Sequence, residues 1–429
     1  VAAAPAFLVS WPIPLESRAR VIPPEPSCLH PAFAQTPRAF PLRLRYDGRV
    51  TNARGARAVR ALGIGTFVEE LRDGLRRMAP SRFPYAKFAA ALVLGILGGW
   101  LFYEANLPLP WMLGPMTVCT LAAILRAPIA APAVVRPPMS AVIGVMLGAA
   151  FTPDVIGRLD EWVISTIGLA LFVAVAGLAC VVYFRKVAGF DLPTAYFSGM
   201  PGGLVEMVIV GEAKGGDGRT IALIHSARIL LVVMTLPFLV QWVEGVSLSA
   251  RGSAGPSVWD APLSAEAWIV ACGLVGAYLG HVLRLPAKVL LGPMLVSALV
   301  HVTGVTNFKP PAEIVAAAQV VLGVTIGARF LGTAPREILR ILLLSVGSTV
   351  LLLALTLLFA TVVGKIMGIG TVPLILAYSP GGLAEMSLVA IAVQTEVAFV
   401  AAHHIIRIVF VMGGAAPVFA LVGRMRKGK

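Results

Sequence analysis

Long apolar runs, each closed by a short polar or Pro/Gly-containing break, fill the chain from about residue 86 to residue 422. They fall at about 86–104, 107–125, 134–151, 161–184, 192–212 and 220–243, and again at about 265–283, 285–304, 312–331, 338–362, 371–393 and 397–422. Several reach the ~20 residues that an α-helix needs to cross a bilayer. The short alternating segments of a membrane β-barrel are missing. The pattern predicts an all-α polytopic membrane protein. It also sets the divisions: a basic Pro/Arg-rich region 1–85, membrane segments 86–243, a polar linker 244–264, membrane segments 265–422 and a basic tail 423–429.

The second set of runs repeats the first. Leu107-Pro108 returns as Leu285-Pro286, and LGPM at Leu113–Met116 returns at Leu291–Met294. GVMLGAAF (Gly144–Phe151) matches GVTIGARF (Gly323–Phe330), PGGLVEM (Pro201–Met207) matches PGGLAEM (Pro380–Met386), and HSARI (His225–Ile229) matches HIIRI (His404–Ile408). All five pairs lie 178 or 179 positions apart and in one order. The expectation is two homologous halves, each one supersecondary unit.

The repeated PGG phrase decides how the halves are oriented. Pro removes a backbone donor and the two glycines leave the chain unconstrained, so the fifth segment of each half breaks. If it nevertheless crosses, the protein has twelve crossings and parallel halves. If it enters and leaves on one side, there are about five spanning helices per half, and the halves are inverted. Lys and Arg concentrate on the cytoplasmic side of membrane proteins. With the basic N-terminus inside, the re-entrant arrangement also puts Lys214, Arg219, Arg284, Lys288, Arg336, Arg340 and the C-terminal GRMRKGK inside. Charge therefore favours the inverted halves, with a cytoplasmic C-terminus.

Composition agrees with the class. The chain is 58% hydrophobic and 13% charged, with mean hydropathy +0.87, too little polar surface for a soluble protein of 429 residues. The net charge of +14 fits cytoplasm-facing loops better than nucleic acid, which is not expected as a partner. Cys28, Cys119, Cys180 and Cys272 show no metal or disulfide spacing and read as small core residues. All thirteen methionines lie at or after Met78. That distribution favours a start at Met78, with the upstream residues an over-extended reading of the gene; the other reading is a basic arm with a short helix near Thr66–Met78.

Each PGG phrase carries a carboxylate, Glu206 or Glu385. A broken backbone at membrane depth must be buried in protein or line a wet cavity, and a carboxylate there costs several kcal/mol unless it is paired or hydrated. Discontinuous helices at matching places in two repeats mark a transporter's binding site. The substrate- or ion-binding candidates are therefore Pro201, Gly202, Gly203, Glu206, Pro380, Gly381, Gly382 and Glu385. His225 with Arg228, and His404 with Arg407, join them, because residues three apart share a helix face. Glu206 and Glu385 are the expected anions for these arginines. Equivalent points of the two repeats are related by one pseudo-two-fold axis and a site near that axis receives both copies, so the two carboxylates are expected close together near the bilayer midplane, titrating as a pair. A purely structural Glu–Arg pair is the competing reading. Arg329, which replaces Ala150 of the first half, is expected to snorkel to the interface, with an orientation toward an anionic substrate as the other reading. Trp100, Trp111, Trp162, Trp242 and Trp268 are expected in an aromatic belt.

The duplicated PGGLxEM phrase, LGPM and the His/Arg helix resemble the bacterial AbrB-type integral membrane family, over about residues 86–423. That family carries inherited labels of ammonia monooxygenase and of transcriptional regulator. The resemblance implies a multi-pass protein of the bacterial inner membrane. A copper monooxygenase needs clustered imidazole and carboxylate ligands, and the six histidines offer no HxH or HxxxH, so no enzyme is expected and no metal or other cofactor. The expected function is a secondary transporter moving a small anionic or zwitterionic solute with proton or sodium coupling. A membrane sensor acting indirectly on gene expression is the alternative. The expected partners are the bilayer, a small-molecule or ion substrate and, as an open possibility, further copies of the chain.

Overall fold

In the structure, a computed structural model, residues 63–157, 159–245 and 255–427 are described. The expected features of residues 1–62, of the linker segment 246–254 and of residues 428–429 lie outside the described residues. Every regular element among the described residues is helical. They begin with α1 (Ile64–Arg77), α2 (Tyr85–Glu104), α3 (Pro110–Ile124), α4 (Arg136–Gly148) and α5 (Val163–Lys186). Two short helices, α6 (Leu192–Gly199) and α7 (Leu204–Ala213), precede the long α8 (Gly218–Glu244). The second set is α9 (Leu263–Val282), α10 (Lys288–Val302), α11 (Ala312–Gly327), α12 (Pro335–Met367), the short pair α13 (Thr371–Tyr378) and α14 (Leu383–Ala392), and α15 (Val397–Lys427).

Seven helices among the described residues are long and apolar enough to cross a membrane: α2, α5, α8, α9, α11, α12 and α15. α3 and α10 are apolar but only 15 residues each, about 22 Å at 1.5 Å per residue. α5 shows why such helices belong in lipid. Val163, Ile167, Leu171, Leu178 and Val182 form an exposed apolar stripe, while Leu169, Phe172, Ala176, Cys180 and Phe184 are buried on the other face. A helix that is apolar all round needs a non-aqueous solvent on its outer side.

Small residues let the helices approach closely, the usual device where lipid gives no hydrophobic drive for association. α2 crosses α3 where Gly98 meets Gly114, and α9 crosses α10 where Gly276 meets Gly292; a Cβ on either member would strike the other's backbone. The LGPM glycines thus serve close packing. The GxxxG pairs in the matched octapeptides work between the sets. Gly144 and Gly148 of α4 seat on the carbonyls of Leu290 and Met294 in α10, and Gly323 and Gly327 of α11 seat on those of Met112 and Met116 in α3. Numbers rise together along each pair, so α4 runs parallel to α10 and α11 parallel to α3.

α5 and α12 pack the other way. The Tyr183 hydroxyl donates to Leu344 O at 3.0 Å, the Phe172 and Phe359 rings lie 5.6 Å apart, and Gly168 faces Val363. Numbers rise along one as they fall along the other, so these helices are antiparallel. α6 and α7 fold back on each other: Asp217 N donates to Thr194 Oγ1 at 2.9 Å, and Gly211 packs on Phe197. The start of α6 therefore lies beside the start of α8. Arg219 there pairs at 2.8 Å with Glu337, at the start of α12.

Trp162 corrects the expected aromatic belt. It is 7% exposed and packs on Phe399 and His403, whereas Trp100 and Trp242 are exposed. Cys119, Cys180 and Cys272 are free and buried.

Candidate functional site

Each PGG phrase separates two short helices. α6 ends at Gly199 and α7 starts at Leu204; α13 ends at Tyr378 and α14 starts at Leu383. Pro201 and Pro380 are buried in these breaks. Ending a helix leaves its last carbonyls without partners, and at membrane depth water does not take them up. The following long helix supplies donors. Nε2 of His225 lies 2.8 Å from Phe197 O, and Arg228 Nη1 donates to Met200 O at 3.1 Å. In the second break, Nε2 of His404 lies 2.9 Å from Leu376 O, and Arg407 donates to Ser379 O and, at 2.8 Å, to Gly381 O.

Each arginine also reaches its own histidine. Arg228 Nη2 stands 2.9 Å from His225 Nδ1, and Arg407 Nη2 stands 3.0 Å from His404 Nδ1. A guanidinium can only donate, so Nδ1 accepts and the ring proton sits on Nε2, where it is donated to the carbonyl. Both imidazoles are thereby fixed neutral. The shared face of His and Arg is as read from the sequence. The expected ion pairs with Glu206 and Glu385 are not: among the described residues no carboxylate lies within ion-pair distance of Arg228 or Arg407. A cation at the C-terminal end of a short helix meets the negative end of its dipole, and the carbonyls satisfy it there.

The carboxylates have a separate setting. Glu206 and Glu385 stand third in α7 and α14, whose N-cap residues are Gly203 and Gly382. Each side chain folds back over that glycine, and a Cβ on Gly203 or Gly382 would collide with Oε2. The second glycine of the phrase thus leaves room for a carboxylate over a helix N-terminus, where free N–H groups favour negative charge. The first glycine serves packing: Gly202 lies against Val411, and Gly381 against Met386.

The two carboxylates differ in surroundings and do not hydrogen-bond each other. Glu385 is 4% exposed. Glu206 is half-buried and lines a cleft of about 200 Å³ between Met207 and Val210 of α7 and Met412 and Ala415 of α15. Neither has a hydrogen-bond partner among the described residues.

Cations gather around the breaks. Arg329, in the turn after α11, has Nη1 buried without a partner and lies within electrostatic reach of Glu385 and Arg136. Burial of that nitrogen sets aside the expected snorkelling. His225 lies within reach of Arg329, and Arg407 within reach of Arg228. Nε of both Arg228 and Arg407 is also buried and unpartnered. Sequence reasoning gave Arg136 no part in the site and favoured the interface for Arg329; the signal it had was the break in symmetry at Ala150/Arg329. It also missed a buried chain in which Tyr378 donates to Ser165 O at 2.6 Å and Ser165 Oγ meets His403 Nε2 at 2.8 Å. Among the described residues, no three His, Cys, Asp or Glu side chains come together as metal ligands would.

A polytopic helical membrane protein with two broken helices at its core is the class that these features define. The chain belongs to the family described as transition state regulatory protein AbrB, which it matches over residues 111–423. It is similar to the protein YhjN of Bacillus subtilis (strain 168), 27% identical over 365 residues that cover 79% of this chain and 94% of that protein. It is also similar to the Escherichia coli (strain K12) protein that carries the regulator name AbrB, 26% identical over 333 residues that cover 76% of this chain and 93% of that one.

Proposed function

We propose that the chain is a secondary transporter of the bacterial inner membrane, moving a small anionic or zwitterionic solute by alternating access with proton or sodium coupling. Its frame is two inverted repeats, each of five crossings and one re-entrant hairpin. Three relationships support the frame. Uncommon left-handed backbone positions recur at the repeat spacing: Asn106 and Arg284 (φ 53° and 52°), Leu109 and Ala287 (45° and 44°), Gly189 and Gly368 (69° and 67°). The equivalent helices α5 and α12 are antiparallel. The start of α6 lies beside the start of α8, as a re-entrant hairpin between them would require.

The charge balance around the breaks carries the reading of an anionic solute. Arg136, Arg228, Arg329 and Arg407 gather there with Glu385 as the buried carboxylate, and three of their guanidinium nitrogens are buried without a partner. Buried cations with unused donors are matched by an incoming anion. With His225 and His404 fixed neutral, Glu206, Glu385 and the buried His403 are left as the groups to carry a coupling proton.

The test is thermal unfolding of the purified full chain with small carboxylates, phosphate, sulfate and amino acids, since a ligand that binds only the folded state raises its stability. An anion should raise the melting temperature of the native protein and lose that effect in Arg329→Gln. Absence of any stabilising anion, or an equal shift in Arg329→Gln, would overturn the site. Uptake into proteoliposomes then decides the activity: binding without flux would favour a membrane sensor, the reading to which the regulator names of the family and of the Escherichia coli relative point.

A further inference from the structure

α1 lies outside the bundle and presents three faces. At 100° per residue, Gly63, Thr66, Phe67, Glu70 and Gly74 form one stripe. Ile64, Val68, Leu71 and Leu75 form a second, about 110° round the axis, and Glu69, Arg72, Asp73 and Arg76 a third. The first face is docked. Thr66 Oγ1 meets His281 Nε2 at 2.9 Å, Glu70 accepts from Lys288 Nζ at 2.5 Å, and Phe67 packs edge-on to Tyr278 with centroids 5.4 Å apart. The third face is charged. The second is apolar and, among the described residues, uncovered, with Ile64, Val68, Leu71 and Leu75 exposed by 40, 53, 48 and 69%.

The docking fixes the depth of α1. His281 and Tyr278 belong to the last turn of α9, and Lys288 to the first turn of α10. The chain then turns into α2 at Tyr85, whose hydroxyl bonds Met78 O. α2 and α9 are both candidate spans, so α1 sits where two spans end. Arg76, Arg77, Arg82 and Lys87 follow in sequence with no acidic residue among residues 76–87. An apolar stripe at the rim of two spans, beside a basic segment, has the form of a helix lying in the membrane interface.

We infer that α1 is an interfacial helix whose Ile64, Val68, Leu71 and Leu75 face is sunk at the headgroup–acyl boundary of the bilayer, with the bundle on one flank and water on the other. Nitroxide labels on single cysteines of the full chain in phospholipid nanodiscs test this. Cys28 is replaced by serine, and the buried Cys119, Cys180 and Cys272 are kept. Labels at Val68→Cys, Leu71→Cys and Leu75→Cys should collide with oxygen several-fold more than with a water-soluble nickel chelate, and labels at Glu69→Cys, Arg72→Cys and Arg76→Cys should show the reverse. Equal nickel access on both faces would place the stripe in water. Low collision with both reagents at residues 68, 71 and 75 would place protein on it. Either result overturns the inference.

Discussion

His404 accepts a hydrogen bond from Arg407 at 3.0 Å through Nδ1, and the pair closes the end of α13 at the Pro380 break. Arg407 serves three acceptors: that nitrogen and the carbonyls of Ser379 and Gly381. Hydrogen bonds from a charged donor contribute about 1.5–3 kcal/mol each, and orphaned buried carbonyls add to the loss. Arg407→Met is therefore expected to destabilise the protein by about 3–5 kcal/mol, read as a large drop in the detergent melting temperature. Arg228→Met, which loses two acceptors, should fall less. An unchanged melting temperature in Arg407→Met would remove the capping role.

Glu206→Gln and Glu385→Gln separate function from folding. Neither carboxylate holds a hydrogen bond among the described residues, so a neutral isostere should leave the unfolding free energy within about 1 kcal/mol of the native value. Transport, or its pH dependence, should be lost in each. A stability role predicts the opposite order: unfolding first, with activity falling only as folded protein falls.

Gly144→Ala and Gly327→Ala should each weaken the packing between the two helix sets, because the new methyl would meet the carbonyl of Leu290 or Met116. Backbone cannot swing away as a side chain can, so each is expected to cost more than about 1 kcal/mol. Gly413→Ala, with nothing near its position, is the control and should be neutral. Equal melting temperatures in all three would show that the close crossings are not limiting.

What the sequence made legible depended on local chemistry. Pro-Gly-Gly breaks a helix wherever it stands, so both breaks and the short helices around them could be read from Ser198–Met207 and Tyr378–Met386. Helix identity followed from apolar runs. Partner choice did not, since His225 and Arg228 could be placed on one face while the carbonyls they cap belong to residues 28 positions away. Reasoning from charge alone matched Arg with Glu, although a helix end offers an arginine as good a partner. Trp162 failed for a related reason: an aromatic near a segment end fits a belt or a core equally until its neighbours, here Phe399 and His403, are known.

Membrane topology is the prediction that tests the frame as a whole. In inverted repeats of five crossings, the linker between α8 and α9 lies outside and the end of α15 lies inside. The charge distribution, the antiparallel α5 and α12, and the pairing of Arg219 with Glu337 all fit this arrangement. Twelve crossings would instead set the linker and the C-terminus on one side and make α5 and α12 parallel. Single cysteines at Ser257 and at Lys429, labelled in intact cells with a membrane-impermeant maleimide, distinguish the two. Ser257→Cys should react from outside, and Lys429→Cys only after the cells are opened. A native background serves, because Cys119, Cys180 and Cys272 are buried, once Cys28 is replaced by serine. Matching reactivity at both positions would dismiss the inverted frame. The equivalence of Glu206 and Glu385 would survive, because parallel repeats also share a two-fold axis, along the membrane normal; the caps on the two breaks would stand as well, because they are made within each half.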